Sequence, residues 1–228
     1  MLLETIEKEN DIKKIPLEQM PVLAQEIRDF LLESLSKTGG HLASNLGAVE
    51  LTMALHYVFS LPKDKIIWDV GHQSYTHKIL TGRKDGFKNL RQYGGLSGFP
   101  KREESPCDAY DTGHSSTSIS AGVGYVCASK VSGEEYHVVS VIGDGALTGG
   151  MAYEALNNAA NLNKNFVIVL NDNKMSISEN VGGISSYLSN LRTAESYTDL
   201  KSEVKKTLNK VPGIGPAMVQ RIHKTKDS

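Results

Sequence analysis

Apolar and polar positions alternate along this chain in two periods, and the switches between them mark the elements. Residues 16–36 carry Val22, Leu23, Ile27, Phe30, Leu31 and Leu35 at helical spacing, and 46–59 repeat the pattern. Residues 65–70, Lys-Ile-Ile-Trp-Asp-Val, read as a buried strand followed by a helix over 73–80. Residues 82–112 are rich in Gly, Pro and charge without a sustained period. A loop that long in a compact domain is expected to be a lid or an entrance. Small residues over 115–130 predict a tightly packed helix, with Cys127 among its core residues. Two apolar runs, 138–142 and 166–170, then flank an Ala-, Asn- and Glu-rich helical stretch. Strand, helix and strand in that order predict a βαβ unit in a parallel sheet, hence an α/β fold.

In such sheets ligands bind outside the carboxyl ends of the strands. Asp144, within Gly143-Asp144-Gly145, and Asn173 fall at the two ends, with roughly 28 residues between them, the length of a crossover. A carboxylate and an amide oxygen held side by side suit one hard cation, and Gly143, Gly145, Gly149 and Gly150 admit a phosphate close to the backbone. The local chemistry is that of a Mg²⁺–diphosphate clamp. A Rossmann site would need G-x-G-x-x-G, and the spacing of Gly143, Gly145 and Gly149 does not match it. A plain βαβ turn remains open for the Gly-Asp-Gly alone.

Composition excludes more than it selects. The chain has 228 residues, 39% apolar and 22% charged, with a net charge of −1, so no global field favours nucleic acid or an anionic membrane. The first residues lack an apolar core of signal-peptide length, and no run approaches a membrane span. A cytoplasmic, bacterial location is expected. Cys107 and Cys127 show no metal-ligand spacing.

Three histidines follow glycine at element ends: Gly40-His41, Gly71-His72 and Gly113-His114. Glycine lets the backbone turn sharply there and carry an imidazole to a ligand rather than to the core. One such histidine alone reads as a structural residue; three at the same edge shift the reading toward a ligand site. The stretch from Gly113 to Thr117, with free N–H groups and hydroxyls opening a helix, favours an anion, and its serines equally suit N-capping.

The Gly-Asp-Gly with its distant Asn, and Glu154-Ala155-Leu156-Asn157 between them, resembles the thiamine diphosphate motif. Arg28-Asp-Phe-Leu-Leu-Glu33 and Gly39-Gly-His41-Leu-Ala-Ser-Asn-Leu-Gly47 resemble the N-terminal signature of the transketolase family. Trp68-Asp-Val-Gly-His-Gln73, His77-Lys-Ile-Leu-Thr-Gly-Arg83, Gly113-His-Ser-Ser-Thr-Ser-Ile-Ser-Ala-Gly122 and Asn171-Asp-Asn-Lys-Met-Ser-Ile-Ser-Glu-Asn180 are similar to the 1-deoxy-D-xylulose-5-phosphate synthases within it. The similarity covers almost all of residues 1–190 and loosens afterwards.

The resemblance implies a three-layer thiamine-diphosphate-binding fold with a largely parallel sheet. It implies condensation of pyruvate with glyceraldehyde 3-phosphate with loss of CO₂, in a homodimer. Carried over residue by residue, Asp144, Asn173 and the Met175 carbonyl ligate Mg²⁺. His72, Gly113, His114, Ser115, Gly145, Ala146 and Asn173 contact the cofactor. His41 and His72 are the catalytic candidates, His41 facing the reacting carbon. Residues 1–190 are expected to form the diphosphate- and metal-binding domain and 191–228 a basic helical extension. The family continues into further domains that carry the pyrimidine-activating glutamate and the basic residues for the substrate phosphate. The chain therefore reads as a truncated enzyme, or as one subunit of a split transketolase or 2-oxo-acid dehydrogenase, inactive alone. Val211-Pro-Gly-Ile-Gly-Pro216 with the cations after it mimics a helix–hairpin–helix element, which would instead bind a nucleic-acid backbone.

Overall fold

The computed structural model describes residues 1–162 and 166–172. Asn173, Met175, the 191–228 extension and the hairpin-like segment at 211–216 lie outside the described residues. Nearly all described residues belong to one compact unit, Met1–Ile15 with Pro21–Glu179. Of the second unit only Pro16–Met20 is described, a short 3₁₀ turn.

The helices are α1 (Met20–Thr38), α2 (Leu42–Leu46), α3 (Val49–Val58), α4 (Tyr75–Leu80), α5 (Ser118–Ser132) and α6 (Gly150–Ala159). The strands are β1 (Lys65–Trp68), β2 (Val138–Gly143) and β3 (Phe166–Asn171). They form a parallel sheet in the order β1-β2-β3, with Ile66 opposite Val139 and Val141 opposite Val169. The side chains of β1 and β2 alternate between two apolar layers. Ile66, Trp68, Val139 and Val141 face Leu55 of α3 and Cys107 on one side. Ile67 and Val138 face Val126 of α5 and Ala109 on the other. Helices on both faces explain why β2 is apolar on both sides apart from Ser140, whose buried hydroxyl donates to the Ser118 carbonyl, since a strand covered twice has no solvent side. The βαβ unit is as expected, β2 crossing through α6 to β3, and the three layers are those of the expected fold. Among the described residues no helix is long and apolar enough to cross a membrane.

Several boundaries differ from the pattern, each for a local reason. The helix predicted over 46–59 is α3 and starts only at Val49, because the chain turns at Gly47 and Ala48 after the separate short α2. The strand predicted over 65–70 ends at Trp68, since Val70 adopts a left-handed conformation at φ 47°. Cys127 is exposed, which corrects its assignment to the core; Cys107 is the buried thiol. On α5 the inward side is Ser118, Ile119, Gly122, Val126 and Ser129. Small residues occur on both sides of that helix, so composition could not set its phase.

Gly122 shows how closely α5 approaches the sheet. A Cβ there would lie 2.5 Å from Ser140 Oγ and 2.6 Å from the Phe166 ring. Gly122→Ala is expected to destabilise the fold by about 1–3 kcal/mol through overpacking, read as a lower denaturation midpoint at unchanged m-value.

Candidate active site

The three glycine-linked histidines converge at the carboxyl end of the sheet. His41 precedes α2, His72 sits in the 3₁₀ turn after β1, and His114 lies in the turn before α5. The His72 and His114 rings stack in parallel at 5.1 Å between centroids, and the His41 ring lies 4.9 Å from His72 and 6.2 Å from His114. Nδ1 of His41 and Nδ1 of His72 are buried without a hydrogen-bond partner. Orphaned buried polar atoms are uncommon and call for a reason, a ligand among them. The left-handed Val70, two residues before His72, adds local backbone strain of a kind concentrated at functional sites.

Burial depresses the proton affinity of these rings. His72 is lowered to about 4, chiefly by burial and then by the neighbouring His41 and His114. His41 is lowered by burial, helped by Arg91 and His114. Both imidazoles are therefore neutral at pH 7, each with one nitrogen to donate and one to accept.

Asn45, fully buried, builds this arrangement, and pattern reading did not single it out. Its Nδ2 donates to the carbonyls of His41 and His72, each at 2.6 Å, and its Oδ1 accepts from Tyr75 N–H at 2.9 Å. One side chain thus holds together two turns and the start of α4. Asp69 has a similar role: its Oδ2 accepts from Ser118 N–H at 3.0 Å, tying the end of β1 to the start of α5, while its Oδ1 is buried and unpartnered. The N-cap residue of α5, Thr117, makes no side-chain cap bond, and it is Asp69 rather than a serine of the turn that accepts from the first N–H of the helix. Both residues stood within quoted motifs, Asn45 beside His41 and Asp69 beside His72. That adjacency was the available signal.

Asp144 follows β2 directly and is buried, with Gly145 and Ala146 half-buried after it. Gly143 pairs with Asn171, so Asp144 and Asp172 leave the same edge of the sheet side by side. A Cβ on Gly149 would lie 2.4 Å from Ser116 Oγ; glycine there lets the start of α6 rest on the turn that carries Gly113, His114 and Ser115. Gly113 and Ser115 are exposed. The structure thus gathers His41, His72 and His114, and seats the turn of His114 against α6. Among the described residues no group of three or more His, Cys, Asp and Glu is placed to hold a metal ion.

The long segment after α4 is organised by buried charge rather than free to open. Arg83 binds Asp108 through two bonds of 2.8 and 2.7 Å, and His77 Nε2 contacts the same carboxylate at 2.9 Å. With that carboxylate accepting, His77 Nε2 carries the proton and Nδ1 accepts from His56 Nε2 at 2.9 Å. The buried Lys78 ammonium pairs with Glu104. Burial alone would raise the Asp108 carboxyl, but hydrogen bonds from His77 and Arg83 outweigh it and hold it well below the usual range. Burial lowers both His56 and His77, with charged neighbours adding to it at His56 and Asp108 opposing it at His77.

Lowered imidazoles make stability depend on pH in one direction. In the unfolded chain these histidines take up protons below their ordinary value of 6.5, whereas the folded chain resists until lower pH. Acid therefore favours unfolding, and the stabilisation present above 6.5 is lost as pH falls toward the folded values. The melting temperature is expected to drop between about pH 7 and about pH 5, ahead of most carboxylate titration. A flat profile across that range would contradict the neutral buried imidazoles.

The geometry can be set beside known proteins. A family model described as 1-deoxy-D-xylulose-5-phosphate synthase matches residues 3–228. A curated protein of that name from Lachnoclostridium phytofermentans is 61% identical over 227 residues, and one from Carboxydothermus hydrogenoformans is 58% identical. The chain spans 36% of the length of these relatives. Among solved structures, a transketolase from Campylobacter jejuni matches with a TM-score of 0.65 at 22% identity, over 74% of this chain and 30% of that one. A transketolase from Leishmania mexicana gives 0.60 at 18% identity, over 77% and 31%. At such identities the structural likeness establishes the fold alone.

Proposed function

We propose, from the premise that this chain belongs to the 1-deoxy-D-xylulose-5-phosphate synthase family, that it is the diphosphate- and metal-binding part of an enzyme joining pyruvate to glyceraldehyde 3-phosphate with release of CO₂. The observation that carries the reading is the cluster of three imidazoles, two of them neutral with orphaned buried Nδ1 atoms, at the carboxyl edge of a parallel sheet beside Gly143-Asp144-Gly145.

The residues present fit thiamine diphosphate. An unpartnered Nδ1 on His72 suits a donor to a diphosphate oxygen. The exposed turn of Gly113, His114 and Ser115, and the backbone of Gly145 and Ala146, offer N–H groups where no side-chain cap competes. Asp144 supplies an anionic oxygen for Mg²⁺, with the Asn173 side chain and the Met175 carbonyl as the further ligands in this proposal. When bound, the cofactor supplies the electron sink for breaking and making carbon–carbon bonds. The chain's own part is orientation and proton traffic. His41, neutral and only partly exposed, exchanges a proton with the reacting substrate through its ring nitrogens. Low proton affinity keeps it a base at neutral pH. The enzyme is proposed to act as a cytoplasmic homodimer.

Calorimetric titration of thiamine diphosphate with and without Mg²⁺ tests the reading. Binding that requires the metal is expected. The same weak heat in both titrations would remove the clamp from the account.

A further inference from the structure

Phe99 is an aromatic wall of the imidazole pocket that none of the histidine-bearing motifs contains. Its ring centroid lies 5.5 Å from His114 and 6.3 Å from His41. It stands in residues 97–101, which form no helix or strand. That segment presses on the turn before His72: a Cβ on Gly71 would come within 2.5 Å of Pro100 Cδ and 3.3 Å of Phe99 Cδ1. Such a segment has no backbone ladder to keep it in place.

Two carboxylates replace the ladder. Glu104 Oε1 accepts from Ser97 N–H at 2.6 Å, and Asp108 Oδ2 accepts from Lys101 N–H at 2.7 Å. These amides lie two residues before and two residues after Phe99. The same carboxylates are anchored from behind by Lys78, Arg83 and His77, on α4 and just after it. Their side chains are 19% and 0% exposed, so water competes weakly for these bonds. An ion network this buried carries a large desolvation cost, and a loop needing only cohesion could be packed with apolar side chains. Directed hydrogen bonds to the two amides flanking one ring do something packing does not: they set where that ring stands.

We propose that Glu104 and Asp108 are positioning residues for the imidazole pocket, acting through Phe99, which their clamp holds as its wall. The ring stands against His41 and His114 and narrows the space beside His41, which is only partly exposed. The functional weight of this wall rests on the proposed role of the pocket, but its geometry does not.

The test is NMR of the histidine ring resonances in the 228-residue chain, for Phe99→Ala, Glu104→Ala and the double variant. Phe99→Ala removes the ring-current contribution at His41 and His114. Glu104→Ala, whose side chain touches neither histidine, is expected to move the same resonances in the same direction. The double variant should move them no further than Phe99→Ala alone, since both act through one ring. Glu104→Gln, whose amide oxygen still accepts from Ser97 N–H, should restore them. Faster amide exchange at Ser97, on the order of tenfold or more, with unmoved rings would overturn the proposal, and so would additive shifts in the double variant. If Glu104→Ala does not fold, the paired change Lys78→Met with Glu104→Leu removes both charges together and is read in the same way. Absence of thiamine diphosphate binding by the unaltered chain would count against the proposed function and leave these ring shifts to be judged separately.

Discussion

Asp144→Ala is expected to abolish Mg²⁺-dependent binding of thiamine diphosphate, whereas His41→Ala is expected to spare it. In the proposed site Asp144 is the only anion among the metal ligands; Asn173 and the Met175 carbonyl contribute neutral oxygens. Mg²⁺ gives up its water reluctantly and depends on such charge. Changing a group that merely supports a metal ligand costs roughly 10–100-fold in affinity, so loss of the ligand itself should exceed that range. Asp144 is buried directly after β2, and its replacement by alanine also leaves the neighbouring turn without its charge. Circular dichroism must therefore show an intact fold before the titration is interpreted. His41 belongs to the proton traffic of the scheme and not to the diphosphate clamp, so its removal should leave the titration nearly unchanged while lowering turnover in the enzyme. Equal loss of binding in both variants would mean that the imidazole pocket and the metal clamp are one unit, against the division of roles proposed above.

Arg83→Ala is expected to cost about 3–5 kcal/mol, a large fraction of the stability of a domain of this size. The Arg83 side chain is 11% exposed and that of Asp108 is fully buried. The loss follows less from the missing bonds than from what stays behind. Asp108 would keep its charge in a dry site with only the neutral His77 and the Lys101 amide bonded to it, and the Lys78 ammonium would stand 4.0 Å away. Arg83→Lys should recover only part, because an ammonium cannot make the two parallel bonds of the guanidinium. Chemical denaturation with a two-state check reads both values. A loss below about 1 kcal/mol, the scale of exposed pairs, would show that solvent reaches this network.

The segment 82–112 illustrates where pattern reading stopped. It was expected to be a lid or entrance because it lacks a hydrophobic period, and it does border the pocket through Phe99. What holds it is a set of charged side chains, and charge in a sequence ordinarily reads as a solvated surface. Nothing in the spacing of Lys78, Arg83, Glu104 and Asp108 distinguishes a buried network from an exposed one. Burial is a property of everything packed around them. The same holds for Asn45, whose partners His41, His72 and Tyr75 lie at three separate places along the chain.

The sequence by itself determined the βαβ unit, the parallel sheet, the doubly buried central strand, and the turns that carry His41, His72, His114 and Asp144. Each of these is a local matter: apolar runs specify strands, and glycine permits the turns at their ends. Tertiary structure alone decided that three imidazoles separated by some 30 to 40 residues at each step would meet within about 6 Å of one another. It also decided that burial would keep His41 and His72 neutral, that Cys107 and not Cys127 would enter the core, and that two carboxylates would hold an aromatic wall over the site. These depend on side-chain contacts between remote segments and on exclusion of water. A period of 2 or 3.6 residues says which face of an element is buried, but not which polar atoms will meet inside.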